Sequence, residues 1–196
     1  MGNKNQIIVD IPEGFYAVRK DSRSSVCIYF YKGDQTPQSL ALSTIRPGVY
    51  VYDGDYAFDA KEWGARPADG VMLVLEDRKT ICIDKTEAAP MPWKDARNWA
   101  ISTVITGRDG SLPDRYDWLH ICDHAEEINA LLLQIGGDPI EISPTNRIKY
   151  WSIEHCGAFI GGEAGFARIA IPAAGEISAD REDQRNRARA IRSFQL

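Results

Sequence analysis

The chain has 196 residues, of which 44% are hydrophobic and 26% are charged, and its formal net charge is -5. These values predict a globular protein of one or two domains, and the mildly acidic balance argues against a nucleic-acid-binding protein. No run approaches the ~20 apolar residues of a membrane-spanning helix, so we expect no membrane insertion. The first residues lack the apolar core of a secretory signal. We therefore expect synthesis in the cytoplasm, which is compatible with later release in a virion.

Residues 1–60 contain four short segments that are rich in β-branched and aromatic residues. The segments are QIIVDI, GFYAVRK, SVCIYFYKG and GVYVYDGDYAF, separated by turns with glycine or proline. They predict a small antiparallel unit. The following segment contains Gly64, Pro67 and Gly70, a composition that is typical of a linker. We therefore place a domain boundary between residues 65 and 66, with a small β-rich unit at 1–65 and a second domain at 66–196.

The second domain begins with a hairpin and a helix. The segment GVMLVLEDRKTICID predicts two strands joined by a polar turn at residues 76–78. The segment PWKDARNWAIS predicts a short helix, with Pro92 at its first position. Trp93, Ala96, Trp99 and Ala100 fall on one helical face, which we expect to be buried.

The longest helical pattern runs through residues 111–139. It carries two apolar stripes, and Asp123 and Glu126 have the spacing of a capping box, so this pattern predicts two consecutive helices rather than one long one. Gly136 and Gly137 end the pattern. Three strands follow, YWSIEH, FARIAIP and RARAIRSF. The predicted fold class is α+β.

The order of these motifs resembles the Lcl C-terminal-domain family over residues 66–196. The matched residues are Trp93 and Ala96; Leu112, Pro113, Arg115 and Tyr116; Tyr150, Trp151 and Ser152; and Arg189, Ala190, Ile191 and Arg192. The resemblance implies a C-type-lectin-like fold, with short helices around a twisted antiparallel sheet. Formylglycine-generating enzymes and phage tropism determinants share that fold, so it implies function only weakly.

Two of the matched residues are arginines in an otherwise apolar final strand. A buried arginine needs a carboxylate or carbonyl partner, and Asp117 is a candidate. We expect Arg189 and Arg192 to hold the last strand in place rather than to act in catalysis.

A metal site is conceivable around the three histidines, His120, His124 and His155. Two cysteines and a glutamate lie near them in the sequence, but no H-E-x-x-H motif and no C-x-x-C pair occurs. The capping pattern also ends the helix between His120 and His124, which would turn them apart. We therefore expect no metal and no cofactor. Cys82 lies in an apolar run, where a free cysteine behaves as a small hydrophobe.

Catalytic chemistry has weak support in the sequence. Formylglycine-generating enzymes use a close pair of late cysteines, whereas Cys156 is the only late cysteine here. Ser152 and His155 are separated by an odd number of strand positions and so point to opposite faces. The motifs of calcium-dependent lectins are also missing. We therefore expect no catalytic residues and a protein that is not an enzyme.

The stretch YWSIEHCGAFIGGEAGF suggests a strand that leaves the core. Tyr150, Trp151 and Ser152 are expected inside, and the glycine-rich residues after them are expected at the surface. The candidate ligand-binding residues are Glu154, His155, Phe159, Glu163 and Phe166. The alternative is that both phenylalanines are buried and the rest forms a solvated loop.

The function predicted from these features is a non-enzymatic binding module of the phage or prophage tail or receptor-binding type. Its expected partner is a cell-surface protein or glycan, and a homo-oligomer would fit such a role. The N-terminal unit would suit attachment to a larger assembly. Two alternatives are an enzyme of the formylglycine-generating type and a structural assembly protein.

Overall fold

The computed structural model describes residues 15–21, 26–32, 39–40, 45–54, 56–64, 66–157 and 165–196. The chain divides into two compact units, Met1–Gln38 and Ser39–Leu196. In the first unit, β1 (Phe15–Asp21) and β2 (Val26–Lys32) pair antiparallel. Both strands are confirmed, whereas the predicted strand QIIVDI lies outside the described residues.

The second unit contains ten further strands, four α-helices and a one-turn 3-10 helix (Pro172–Ala174) within its described part. They are β3 (Gly48–Asp53), β4 (Tyr56–Phe58), α1 (Ala60–Trp63), β5 (Gly70–Val74), β6 (Lys79–Met91), α2 (Trp93–Ser102), β7 (Val104–Ile105), β8 (Arg108–Asp109), α3 (Arg115–Asp123), α4 (Ala125–Gln134), β9 (Tyr150–Gly157), β10 (Phe166–Ile171), β11 (Glu176–Arg181) and β12 (Asn186–Gln195). Eight strands form one sheet in the order β11-β10-β9-β12-β6-β5-β3-β4. Its pairs are antiparallel except for β9 with β12. The unit is therefore mixed α+β, with a large, mostly antiparallel sheet and few helices.

The predicted boundary at residues 65 and 66 does not coincide with the division into units at residues 38 and 39. The reason is that β3 pairs with β5, so strands on both sides of that boundary share one sheet. Gly64 ends α1 with φ 67°. A Cβ atom at Gly70 would lie only 2.0 Å from the carbonyl oxygen of Ile83. Gly64 therefore ends a helix, and Gly70 allows the close approach of β5 to β6, so neither marks a linker between domains.

The sheet of the second unit carries a hydrophobic core on each face. Helix α2 packs on one face through Trp93, Ala96 and Ala100, which are buried as predicted, whereas Trp99 of the predicted stripe is only partly buried. Helices α3 and α4 pack on the other face, where Trp118 and Leu132 are fully buried. Pro92 is the residue before α2 rather than its first residue. Because side chains alternate along a strand, the central strands contribute to both cores.

The long helical pattern forms two consecutive helices, as predicted, and the chain breaks at His124 between them. The capping box is at a different place from the predicted one. Asp114 accepts a hydrogen bond from the Asp117 backbone N–H (2.7 Å), and the Asp117 side chain accepts one from the Asp114 backbone N–H (3.1 Å). Asp123 instead ends α3. Within the described residues, no helix is long and apolar enough to cross a membrane.

The two arginines of the last strand have partners other than Asp117, so that predicted pairing is wrong. Arg189 is fully buried and contacts a Glu87 carboxylate oxygen at 3.2 Å, because β12 pairs with β6 opposite that residue. Arg192 donates to the Thr106 carbonyl at 2.9 Å. Asp117 binds the Lys79 ammonium group at 2.7 Å. The role of the arginines in holding the last strand is consistent with these contacts.

Candidate functional site

Strand β9 passes from the core to the surface along its length. Tyr150, Trp151 and Ser152 are fully buried, the next two residues are half-buried, and the last three are exposed. The predicted passage of residues 150–157 from core to surface is therefore confirmed. The exposed end of β9, with the side chains around it, is the candidate site.

Three tryptophan indoles anchor the buried half of β9. Trp93 donates to the Ser152 carbonyl at 2.8 Å, and Trp118 donates to the Trp151 carbonyl at 3.2 Å. The Trp151 indole donates to the Met91 carbonyl at 2.7 Å. These bonds satisfy polar groups that would otherwise be buried without a partner. The exposed end of β9 is therefore carried by a rigid, well-packed strand.

Glu154 faces the side of the sheet on which α3 packs. One of its carboxylate oxygens accepts a hydrogen bond from the Arg115 backbone N–H at 3.1 Å, at the start of α3. The side chains of Arg115 and Arg168 each place Nε at 3.6 Å from a Glu154 oxygen. The side chains of these two arginines are 40% and 36% exposed. Glu154 thus ties α3 to β9 and holds two arginines at the surface.

Tyr116 stands beside this group on α3. It is 54% exposed, and its hydroxyl accepts a hydrogen bond from Arg115 Nη2 at 3.0 Å. The Arg115 guanidinium also lies 4.7 Å from the Tyr116 ring centroid. Half-buried Phe166 is two residues from Arg168 in β10, so strand alternation places both on one face. We name Arg115, Tyr116, Glu154, Phe166 and Arg168 the β9 surface.

His155 lies on the opposite face of β9, next to α2. Its Nε2 is 2.9 Å from a Glu182 carboxylate oxygen, and its Nδ1 accepts a hydrogen bond from the Gly157 backbone N–H at 3.2 Å. The ring lies 5.7 Å from the Trp93 ring, over which Arg97 is placed at 4.8 Å. Both imidazole nitrogens are therefore engaged within the protein.

The five candidate ligand-binding residues are thus only partly brought together. Glu154 and Phe166 belong to one face and His155 to the other, while Phe159 and Glu163 lie outside the described residues. Arg115, Tyr116 and Arg168 complete the β9 surface and were not among the candidates. The alternation of β9 signals the separation of Glu154 from His155, but nothing local in the sequence signals the two arginines. Ligand contact by any of the five stays a prediction.

The other histidines lie together, contrary to the expected separation. His120 and His124 both line a depression of about 520 Å³ that also includes Glu127. The last turn of α3 still joins them, since the His124 backbone N–H donates to the His120 carbonyl at 3.3 Å. Among the residues that the structure describes, no group of three or more His, Cys, Asp or Glu could hold a metal ion.

The described cysteines are free thiols in different environments. Cys82 is buried, as predicted, and burial raises the pKa of its thiol to about 12. Burial also raises the pKa of Cys122 to about 11. Cys156 is exposed at the end of β9. At neutral pH, Cys82 and Cys122 are therefore protonated and poor nucleophiles.

Some of the residues that carry the family resemblance meet at β9. Trp93, Trp151 and Ser152 meet in the indole contacts above, and the Ile153 backbone N–H donates to the Pro113 carbonyl at 2.9 Å. Compared with known proteins, the sequence matches no protein-family model and no curated protein. The resemblance therefore stays a prediction based on these motifs.

Proposed function

We propose that the protein is a non-enzymatic binding module of the phage or prophage tail type, which recognises a cell-surface protein or glycan through the β9 surface. In this proposal residues 66–196 have the C-type-lectin-like arrangement. The observation that carries the proposal is the end of β9, where a rigid buried strand presents aromatic and charged side chains at the surface.

The composition of the β9 surface supports recognition. Tyrosine and arginine are enriched at interface positions that contribute most to binding. Here the hydrogen bond and the ring contact between Arg115 and Tyr116 hold both side chains in place before a ligand arrives. Side chains that are already ordered lose less conformational entropy on binding. The surface is therefore suited to binding without rearrangement.

The chemistry of the neighbouring groups supports binding over catalysis. Nδ1 of His155 accepts a hydrogen bond from the Gly157 backbone N–H and Nε2 lies 2.9 Å from a Glu182 carboxylate oxygen, so neither nitrogen is directed at Ser152. Ser152 is fully buried, and its hydroxyl accepts a weak hydrogen bond from the Glu154 backbone N–H at 3.5 Å. In this part of the described chain, the serine and the histidine therefore do not form a nucleophile and base pair.

The packing around β9 supports the lectin-like arrangement. The matched tryptophans and Ser152 bond to one another or to neighbouring strands, and Arg189 joins β12 to β6. Matched residues that are far apart in the sequence thus hold the same strands together. Residues that define a family through its fold are expected to have such structural contacts. The formylglycine-generating alternative lacks the late cysteine pair.

The test is binding of the fluorescently labelled protein to a panel of intact bacterial cells, measured by co-sedimentation. The double variant Tyr116→Ala/Arg168→Ala removes one exposed aromatic and one cation from the β9 surface. We expect it to bind about tenfold more weakly than the parent.

The matched control is Tyr56→Ala/Lys61→Ala. It likewise removes one exposed aromatic and one cation, from β4 and α1 at the other end of the sheet order, where Tyr56 is 61% exposed. We expect this control to bind like the parent. The proposal fails if no cell in the panel binds the parent, or if both double variants lose binding equally.

A further inference from the structure

A groove lies on the second unit away from the β9 surface. It has a volume of about 730 Å³ and is lined by residues 87–90 of β6, residues 138–143 and Arg187. We name it the β6 groove. Its size falls within the range of ligand-binding clefts, and its walls combine apolar side chains with a few polar groups.

The groove runs along an edge of β6 that is only partly paired. β5 pairs with β6 only as far as Asp84, although β6 continues to Met91. Beyond that point Asp138 satisfies two backbone groups at this edge of β6. Its backbone N–H donates to the Lys85 carbonyl at 2.8 Å, and its carboxylate accepts from the Glu87 backbone N–H at 3.0 Å. Past Glu87, no strand of the described chain pairs with this edge.

The next residues of β6 also have backbone groups that face this unpaired edge. Successive residues of a strand turn their N–H and C=O groups to alternate edges, so Ala89 shares the edge of Glu87. The register between β6 and β12 shifts between Ala88 and Met91, which marks a bulge. Pro90 lies in that bulge, a position at which a strand tolerates the lack of an N–H group. Because Asp138 already accepts the Glu87 N–H, the edge offers the Glu87 carbonyl and the backbone groups of Ala89 to an added strand.

The floor of the groove is fixed by a buried polar network. Glu87 accepts hydrogen bonds from Arg187 (2.7 Å), Tyr150 (2.7 Å) and Arg189 (3.2 Å). The Tyr150 hydroxyl also accepts one from the Glu141 backbone N–H at 3.0 Å, which ties the opposite wall to the floor. Burial raises the pKa of Tyr150 to about 12, so the hydroxyl keeps its proton at neutral pH. The groove is therefore pre-formed.

The charges that line the groove favour a basic occupant. Glu87 is engaged with two arginines, whereas the carboxylates of Asp138 and Glu141 form no ion pair among the described residues. Both carboxylates accept only backbone or amide hydrogen bonds. The apolar part of the lining is Pro90, Pro139, Ile140 and Ile142.

We propose that the β6 groove binds an extended peptide segment of a partner protein by strand addition to the edge at Glu87 and Ala89. A lysine or arginine of the peptide lies against Asp138 and Glu141, and alternate apolar side chains cover Pro139 and Ile142. Main-chain hydrogen bonds supply affinity, and the side-chain contacts supply specificity. This inference is independent of the β9 surface.

The first test uses a random heptapeptide phage-display library selected on the full chain. We expect enriched peptides in which lysine or arginine alternates with β-branched residues. The variant Asp138→Asn/Glu141→Gln keeps the acceptors for the Glu87 and Ser143 backbone N–H groups but removes both charges. It should bind a synthetic enriched peptide about tenfold more weakly than the parent. The control Glu126→Gln/Glu127→Gln removes two charges from α4 and should bind like the parent.

The second test distinguishes strand addition from simple charge attraction. Methyl groups are placed one at a time on the backbone nitrogens of the enriched peptide. Strand addition predicts that binding is lost at every second position, because alternate N–H groups face the β6 edge. Tolerance of methylation at all positions overturns the proposal, as does the enrichment of no peptide over an unrelated protein. Self-association of the parent that the double charge variant abolishes would identify a second copy as the occupant, and would also overturn it.

Discussion

Replacing Arg189 with methionine tests the buried network that joins β12 to β6. The guanidinium donates to the carbonyls of Asp84 (3.1 Å), Lys85 (3.2 Å) and Asp138 (2.8 Å), and to Glu87. Methionine fills a similar volume but donates nothing, so three carbonyls and one carboxylate lose a donor. Removing one partner of a buried ion pair costs about 3–5 kcal/mol.

The expected loss lies near the lower end of that range, because Glu87 keeps its contacts with Arg187 and Tyr150. A loss of about 3 kcal/mol is a large part of the 5–15 kcal/mol that usually separates folded from unfolded domains. The Arg189→Met variant should therefore fold but unfold at a clearly lower urea concentration.

The measurement is urea unfolding of the full chain, followed by far-UV circular dichroism and extrapolated to water. Arg192→Met is the matched control, since Arg192 is only half-buried and donates its hydrogen bonds to Thr106. We expect the control to lose about 1 kcal/mol. If Arg189→Met lies within 1 kcal/mol of the parent, the buried network does not stabilise this part of the sheet, and the reasoning is wrong.

Two further predictions concern titrating groups. Under native conditions at pH 8, iodoacetamide should label Cys156 much faster than Cys82 or Cys122. Of these three described cysteines only Cys156 is exposed, and burial raises the pKa of the other two thiols to about 12 and about 11. Equal labelling of the three in a peptide mass analysis would contradict this. Burial raises the pKa of Asp180, but hydrogen bonds from Lys149 and Asn186 outweigh it and hold that pKa below its ordinary value. A depressed pKa contributes stability above the unfolded value of about 3.9 that is lost as the pH falls through the folded value. Asp180→Asn should therefore lose less stability than the parent between about pH 5 and 2, and identical urea-unfolding profiles across that range would refute the assignment.

The sequence by itself determines much of the local structure of this protein. β-branched and aromatic runs predict most of the strands, although not β7, β8 or β11, and the stripe of Trp93, Ala96, Trp99 and Ala100 predicts the face of α2 that packs on the sheet. The passage of β9 from core to surface follows from large residues succeeded by polar ones and glycine. Strand alternation also implies that Glu154 and His155 face opposite sides. These features depend on the backbone and on neighbours within a few residues, so a local pattern is sufficient to predict them.

Only the tertiary structure decides which distant residues meet. Arg189 contacts Glu87 rather than Asp117 because the register between β12 and β6 places the two residues opposite each other. Glu154 contacts Arg115 because α3 begins beside β9. The same holds for the division of the chain, since β3 and β5 pair across the expected boundary. Such contacts depend on strand register and helix packing between segments far apart in the chain. A residue's own neighbours do not encode them, because many partners of equal charge and size are available until the sheet is assembled.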